Sequence, residues 1–164
     1  IYDDTLAFSL GRCDERTFEK INFLVECGAS PSDIANKLLR RDSLAKYRII
    51  PKVLNSLELF KEGEVASIFA KEEWFKETGA HNRDCEDALD MIMSIAIVKI
   101  AFFVRVVNGV SRVSLRSKGK IDVAKIAGEF YGGGHYNAAG CTLDMIDVEK
   151  AKEIVLKEIF EVYK

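Results

Sequence analysis

Three consecutive glycines, Gly132 to Gly134, limit what this chain can fold into, because they stand together in a sequence with only eleven glycines among 164 residues. Residues without a Cβ atom adopt backbone angles that other residues avoid. Such a run either makes a tight turn between a helix and a strand, or lets successive amides point at one spot and form a concave anion site. His135 follows directly, and a helical turn beginning near Asn137 would add further free amides. The spacing alone favours neither alternative.

Basic residues precede the glycine run. Between residues 105 and 125 the chain has six of them and only one acid, Asp122. Because the whole chain has a formal net charge of −2, it has no overall basic field, and any anion site has to be local. A basic segment that leads into a glycine run suggests a phosphate-bearing ligand. The basic residues are Arg105, Arg112, Arg116, Lys118, Lys120 and Lys125.

The length and composition are those of a globular protein. With 48% hydrophobic and 30% charged residues, the chain is long enough for one ordinary domain or slightly more. No apolar run reaches the roughly 18 to 20 residues of a membrane span, and no segment resembles a signal peptide. The four cysteines fit no zinc-binding spacing, so we expect them to be reduced thiols of a cytoplasmic protein. From the lack of a long apolar run we expect no membrane association. The start at Ile1 suggests a piece of a longer protein.

The N-terminal part is predicted to be mainly helical, and the remainder to contain a small mixed β-sheet packed with helices, which is an α/β fold. Pro51 lies inside the third predicted helix and is expected to kink or split it. Asn108-Gly109 is the strongest hairpin signal in the chain, and Trp74 and Phe75 are expected in the core. Helices are predicted over residues 17–27, 31–39, 43–63, 71–78, 85–94, 121–131 and 148–163, and strands over residues 64–70, 95–107, 110–115 and 141–145.

Two sequence motifs, SLRSKGKID at residues 114–122 and GGGHYNAAG at residues 132–140, lie one predicted helix apart. Together they resemble the C-terminal DHH-associated substrate-binding domain of the DHH phosphoesterase family, specifically its oligoribonuclease (nanoRNase) and cyclic-dinucleotide phosphodiesterase branch. The resemblance implies three parts: the tail of a DHH catalytic domain at residues 1–42, a helical connector at 43–60 and a substrate-binding domain at 61–164.

The N-terminal stretch resembles the same family through the pair Asp4-Thr5. In that family the catalytic domain closes with a strand that ends in an Asp-Thr pair and is followed by helices. The resemblance implies that Asp4 is one carboxylate ligand of a manganese pair, whereas Asp3 is expected to be a turn residue.

The Asp-His-His triplet that gives the family its name is absent from this sequence, whose only histidines are His81 and His135. Hydrolysis with two metal ions needs several ligands around them, which one aspartate cannot supply. We therefore expect that Mn²⁺ belongs to the complete enzyme, that this chain alone hydrolyses nothing, and that its partner is a catalytic DHH domain. His81 is expected to be a surface-loop residue.

The resemblance also implies roles for residues of both motifs. Arg116 and His135 would bind a terminal or non-scissile phosphate of a short nucleotide, since a guanidinium presents a planar fork and an imidazole can donate to the same anion. The glycines would permit close approach of the backbone, and a neighbouring serine hydroxyl could add a contact. The implied substrate-binding residues are Arg116, Ser117, Gly132, Gly133, Gly134 and His135.

The motifs favour the recognition part of a manganese-dependent phosphodiesterase that degrades short oligoribonucleotides, or cyclic or linear dinucleotides, to mononucleotides. The alternative is a non-catalytic nucleotide- or RNA-binding module, because the metal triplet is missing. A third possibility is an RNA-contacting appendage like that of alanyl-tRNA synthetases, against which the Asp-Thr start and the hairpin arginine argue. The sequence does not distinguish short RNA, cyclic dinucleotide and phosphoadenosine phosphate as substrates, and it is compatible with a homodimer.

Overall fold

The computed structural model describes residues 1, 5, 8, 13–39 and 42–163. These residues form two compact units, Ile1–Asp42 and Ser43–Lys164. The first unit contains α1 (Glu15–Glu26) and α2 (Pro31–Leu39). The predicted pair Asp3 and Asp4 lies outside the described residues.

The two helices of the first unit confirm the sequence prediction of their type and position. α1 begins after Asp14, whose carboxylate accepts a hydrogen bond from the Thr17 amide, so the helix starts slightly earlier than predicted. Its predicted apolar face exists, but the described residues do not bury it. That face was expected to consist of Phe18, Ile21, Leu24 and Val25, and Phe18 is 53% exposed and Leu24 44% exposed.

The second unit is a six-stranded mixed sheet with helices on both sides, which confirms the predicted α/β class. The strand order is β1-β2-β3-β4-β6-β5, and β2 and β3 run parallel. No helix among the described residues is long and apolar enough to cross a membrane. The elements in chain order are α3 (Leu44–Leu54), β1 (Glu58–Phe60), β2 (Val65–Ala70), α4 (Glu72–Thr78), α5 (Asp87–Met93), β3 (Ile100–Val107), β4 (Val110–Ser117), α6 (Val123–Gly128), β5 (Gly133–His135), β6 (Ala138–Leu143) and α7 (Val148–Val162), with 3-10 turns at Lys61–Gly63 and Asn82–Cys85.

Successive side chains of β3 alternate between two hydrophobic cores, as expected for a strand buried on both sides. Phe102 faces α6 and α7, and Phe103 faces α3 and α5; both rings are buried. Trp74 and Phe75 of α4 pack at the edge of the second core, as predicted. The sheet therefore has an α6/α7 side and an α3–α5 side.

The end of the third predicted helix was wrong. The helical pattern was expected to continue to Gly63, but α3 ends at Leu54 and passes through Pro51. The following segment pairs antiparallel with β2, with Leu59 opposite Ala66, because the exposed edge of β2 offers hydrogen-bonding partners that outweigh helical spacing.

The chain enters β3 later than predicted. The first residues of the apolar run, 95–99, continue the turn that follows α5, and the Val98 amide donates to the Ile95 carbonyl oxygen at 3.2 Å. The Asn108-Gly109 hairpin is confirmed, with positive φ angles of 52° and 80° at its two residues.

Gly133 and Gly134, together with His135, form the edge strand β5, which pairs antiparallel with β6. Neither a concave nest of amides nor a simple turn describes it. α6 ends at Gly128, earlier than predicted, and the Gly132 amide closes the helix end by donating to the Ala127 carbonyl oxygen at 2.9 Å. No helix begins near Asn137, since the chain turns at Tyr136 and Asn137 and β6 begins at Ala138.

Candidate functional site

Half of the α3–α5 side of the sheet is left uncovered within the second unit. Helices α3 and α5 pack over β2 and β3, whereas the same side of β4, β6 and β5 stays accessible to solvent. We call this surface the open face. Its residues follow from the strand register: Arg112, Ser114 and Arg116 on β4, Ala138, Gly140 and Thr142 on β6, and Gly133 and His135 on β5.

Arg116 and His135 lie in one row across the open face. Arg116 is opposite Ala138, and Ala138 is in turn opposite His135. Their backbones are thus separated by two strand spacings, about 9.6 Å. Both side chains are long enough to reach inward over the small Ala138 methyl group, so they can contact one anion placed between them.

The Arg116 guanidinium is only weakly held by its neighbours. One terminal nitrogen donates to the Leu115 carbonyl oxygen at 3.1 Å, and Nε lies 3.8 Å from the Asp90 carboxylate. The side chains of this ion pair are 38% and 74% exposed, so solvent screens it and it contributes little. Because a guanidinium has five N–H donors, most of this group's capacity remains for a ligand.

The His135 imidazole is exposed on the outermost strand of the sheet. Among the residues that the structure describes, none forms a hydrogen bond or ion pair with this ring. A neutral imidazole has one N–H donor and a protonated one has two, so His135 can donate to a phosphate in either state.

Two of the three glycines are needed because β5 and the residue before it run very close to β6. A Cβ atom on Gly132 would lie 2.3 Å from the Gly140 carbonyl oxygen, and one on Gly134 would lie 2.5 Å from the Ala138 carbonyl oxygen. Gly134 also has a φ of 147°. A Cβ on Gly133, by contrast, would meet nothing within 4 Å. The glycines therefore position His135 next to β6.

Ser117 lies on the other side of the sheet from Arg116. It is buried, its hydroxyl donates to the Ile121 carbonyl oxygen at 2.6 Å, and it accepts a hydrogen bond from Asn137 Nδ2 at 2.9 Å. This placement does not bring it to the anion position, and its hydroxyl proton is already used within the protein. The predicted substrate contact of Ser117 remains untested.

Asn137 is a positioning residue that the sequence interpretation missed. Its side-chain amide donates to Ser117 Oγ and, at 3.2 Å, to the Gly119 carbonyl oxygen. Its backbone carbonyl oxygen accepts a hydrogen bond from the Ser117 amide at 3.1 Å. The Val123 amide donates to the Tyr136 carbonyl oxygen. The two sequence motifs are thus hydrogen-bonded to one another, which fixes β4 against the turn after His135. An asparagine in the turn between two strands was the available signal.

The two buried cysteines, Cys85 and Cys141, do not provide a reactive group for this site. Burial raises the pKa of the Cys85 and Cys141 thiols to about 11, so both stay protonated near neutral pH. Within residues 13–39 and 42–163 and the three single residues described before them, no group of three or more His, Cys, Asp or Glu side chains could hold a metal ion. The described residues therefore do not fit the two-metal centre, and Asp4 is not among them.

The residues from 60 to 163 match the family model of the DHHA1 domain. The chain is 26% identical over 161 residues to the bifunctional oligoribonuclease and PAP phosphatase NrnA of Thermus thermophilus, covering 98% of this chain and 48% of that protein. It is 25% identical over 162 residues to the cyclic-di-AMP phosphodiesterase PdeA of Listeria monocytogenes, covering 98% of this chain and 23% of that protein. The chain thus spans about half, or less, of the length of these relatives.

A solved structure has nearly the same fold. The exopolyphosphatase-related protein of Bacteroides fragilis superimposes with a TM-score of 0.89 at 26% identity, covering 98% of this chain and 47% of that one. The two motifs SLRSKGKID and GGGHYNAAG predicted a DHH-associated substrate-binding domain, and this prediction is confirmed.

Proposed function

The chain belongs to the DHHA1 domain family, and from that premise we propose that its second unit is the substrate-recognition part of a manganese-dependent phosphodiesterase that degrades short oligoribonucleotides or dinucleotides to mononucleotides. The observation that carries this proposal is the row formed by Arg116, Ala138 and His135 on the open face. Two relatives whose names state nucleotide substrates, an oligoribonuclease and a cyclic-di-AMP phosphodiesterase, support it.

The side chains of Arg116 and His135 can bind one phosphate from opposite sides. The Arg116 fork matches two phosphate oxygens, and His135 donates to the same group from the far strand. A ligand held this way at one end presents the rest of its length at a fixed position, which would favour very short strands.

In this proposal Mn²⁺ and the reacting water belong to a catalytic DHH domain, so no bond-breaking step is assigned to the described residues. The exposed apolar side chains of α1, among them Phe18 and Phe23, support such a partner, because soluble proteins rarely leave large apolar patches uncovered. Manganese dependence, the partner domain and a homodimer remain predictions.

A second candidate function is a non-catalytic nucleotide-binding module. It is favoured by the sequence, which contains no Asp-His-His triplet. In both candidate functions Arg116 and His135 bind the phosphate of the ligand. The functions differ in whether a catalytic domain then acts on the bound ligand.

The proposal predicts that the isolated chain binds linear diadenylate through its terminal phosphate. Titration calorimetry should detect binding of the 5′-phosphorylated dinucleotide pApA and much weaker binding of ApA, which lacks that phosphate. Each ligand should be recovered intact after incubation with Mn²⁺ and the chain alone. Hydrolysis of pApA by the polypeptide that joins this chain to a DHH domain would favour the enzyme over the module, whereas equal affinity for ApA and pApA would contradict the phosphate-binding row.

Substitution of Asp90 by asparagine is expected to strengthen binding of pApA about two- to threefold. Asp90 competes with the ligand for the Arg116 guanidinium, and exposed ion pairs are worth only up to about 1 kcal/mol. The control is Glu153→Gln, which removes the same charge from an exposed position on α7 at the other side of the sheet. Equal effects of the two substitutions would show that only overall charge matters.

A further inference from the structure

A basic depression lies on the open face beside the row formed by Arg116, Ala138 and His135. Its volume is about 410 Å³. Arg105, Arg112 and Ser114 line it from the sheet, and Tyr131, Gly132 and Thr142 line it from the side of the glycine strand. We call it the second-row pocket.

The strand register places this pocket at a regular distance from the anion position. Ser114 is two residues from Arg116 on the same strand and side, which corresponds to about 6.8 Å. Arg112 is two residues further, and Arg105 lies directly opposite it on β3. Arg112 therefore lies about 13.6 Å from Arg116 along β4. The Arg105 guanidinium, however, donates to Ser114 Oγ at 3.3 Å and so stands only about 6.8 Å along the strand from the position of Arg116. Successive phosphates of an extended single strand are separated by a similar distance, so the second phosphate of a strand fixed at Arg116 and His135 can reach Arg105 beside Ser114.

Arg105 is a nearly buried cation with unused donor capacity. Its side chain is 12% exposed, and its guanidinium donates to the Glu86 carboxylate at 3.3 Å, to Ser114 Oγ at 3.3 Å and to the Asn82 carbonyl oxygen at 3.5 Å. The guanidinium carbon also lies 5.3 Å from the centre of the Phe103 ring. Its Nε atom is buried and has no hydrogen-bond partner among the described residues. One exposed carboxylate is its ion-pair partner, so an incoming phosphate would supply a second.

Tyr131 forms the rim of the pocket in a strained conformation. It follows the end of α6 with a φ of 56°, a position where glycine or asparagine is usual, and its side chain is fully exposed. The Tyr131 amide closes the end of α6 by donating to the Gly128 carbonyl oxygen at 3.0 Å, but its large aromatic ring is left in water and packs in no core. Exposed aromatic rings beside basic grooves are typical stacking platforms for nucleic-acid bases.

We propose that the second-row pocket binds a second nucleotide unit of the same short strand, with its phosphate between Arg105 and Arg112 and its base stacked on Tyr131. This rests on the proposed function, because the first phosphate is held by Arg116 and His135. The occupant is a single-stranded oligonucleotide with at least two phosphates, and the pocket gives the face a preference for dinucleotides over mononucleotides.

The test compares AMP with pApA on the complete 164-residue chain by amide chemical-shift titration. AMP should shift the amides around Arg116 and His135 only. With pApA, the amides of Arg112, Gly140 and Thr142 should shift as well, and the affinity should be about tenfold higher. If pApA shifts the same amides as AMP and no others, the proposal is overturned.

Substitutions in the pocket distinguish its contribution to binding from that of Arg116 and His135. Arg112→Ala should remove the tenfold advantage of pApA and leave the affinity for AMP unchanged, whereas Lys157→Ala, which removes an exposed charge from α7 on the other side of the sheet, should change neither. Equal effects of Arg112→Ala and Lys157→Ala would overturn the proposal. If neither ligand shifts any amide of β4, β5 or β6, the Arg116 row and hence the proposed function fail as well.

Tyr131→Gly tests the stacking step without relying on a weakened fold. Glycine relieves the positive φ angle, so the thermal midpoint should rise while the affinity for pApA falls several-fold. Inorganic tripolyphosphate, which has no base, should bind the variant and the wild type equally. An unchanged affinity of Tyr131→Gly for pApA would show that Tyr131 stacks no base and would overturn the pocket as a nucleotide site.

Discussion

Replacing Arg116 by alanine is expected to weaken binding of pApA to this chain by about 10- to 100-fold. A charge-assisted hydrogen-bond pair to phosphate contributes about 1.5 to 3 kcal/mol, which corresponds to that range. His135→Ala should cause a loss of similar size, because the imidazole donates to the same anion from the other side of Ala138. In a polypeptide that carries the catalytic domain, both variants should lower kcat/KM for linear diadenylate by the same factors.

The double variant Arg116→Ala/His135→Ala distinguishes a shared anion from two separate contacts. If both side chains hold one phosphate, their losses should combine less than additively, whereas independent contacts would add. Arg116→Lys is the charge-matched control, since it keeps the cation but loses the planar fork and should recover only part of the affinity. Both substituted residues are at least partly exposed, so thermal unfolding should hardly change. Wild-type binding in both single variants would refute the assigned row.

The parts of the fold that were predictable from sequence are those fixed by local chemistry. Ser43 caps α3 by accepting a hydrogen bond from the Lys46 amide at 3.0 Å, and a serine directly before an apolar periodic segment is typical of such a cap. Asn108-Gly109 forms the hairpin because both residues tolerate positive φ angles. The strands β1 and β5 were missed because each has only three residues and exists through pairing with a neighbouring strand, which no local pattern records.

The candidate site was predictable only in part, for a related reason. The family resemblance implied that Arg116 and His135 bind a phosphate, but their separation of 19 positions in the sequence does not say that they are neighbours across the sheet. The pairing of both residues with Ala138 places them in one row. The alternation of side chains along β4 turns Ser117 away from Arg116, a consequence that required the strand to extend past its predicted end at residue 115. Asn137 was missed because its contacts join two segments that are distant in sequence.

The substitution Gly134→Ala is expected to lower the free energy of unfolding of the second unit by about 2 to 5 kcal/mol. The added methyl group would meet the Ala138 carbonyl oxygen at 2.5 Å and the Ala139 Cα at 2.6 Å, which are backbone atoms of β6 that cannot rotate away. Overpacking of this kind costs about 1 to 3 kcal/mol, and a strained φ for a residue with Cβ costs about as much again. Urea denaturation followed by circular dichroism measures the loss.

The neighbouring Gly133→Ala variant is the matched control, because the same methyl group would there meet nothing within 4 Å. Its unfolding free energy should stay within about 0.5 kcal/mol of the wild type. Its methyl group would nevertheless stand on the open face two residues from His135, so it should hinder a ligand without weakening the fold. Equal destabilisation by the two substitutions would contradict the close pairing of β5 with β6. If Gly134→Ala alone destabilises the unit, the glycine at this position is required for the close approach of β5 to β6, which brings His135 beside Ala138.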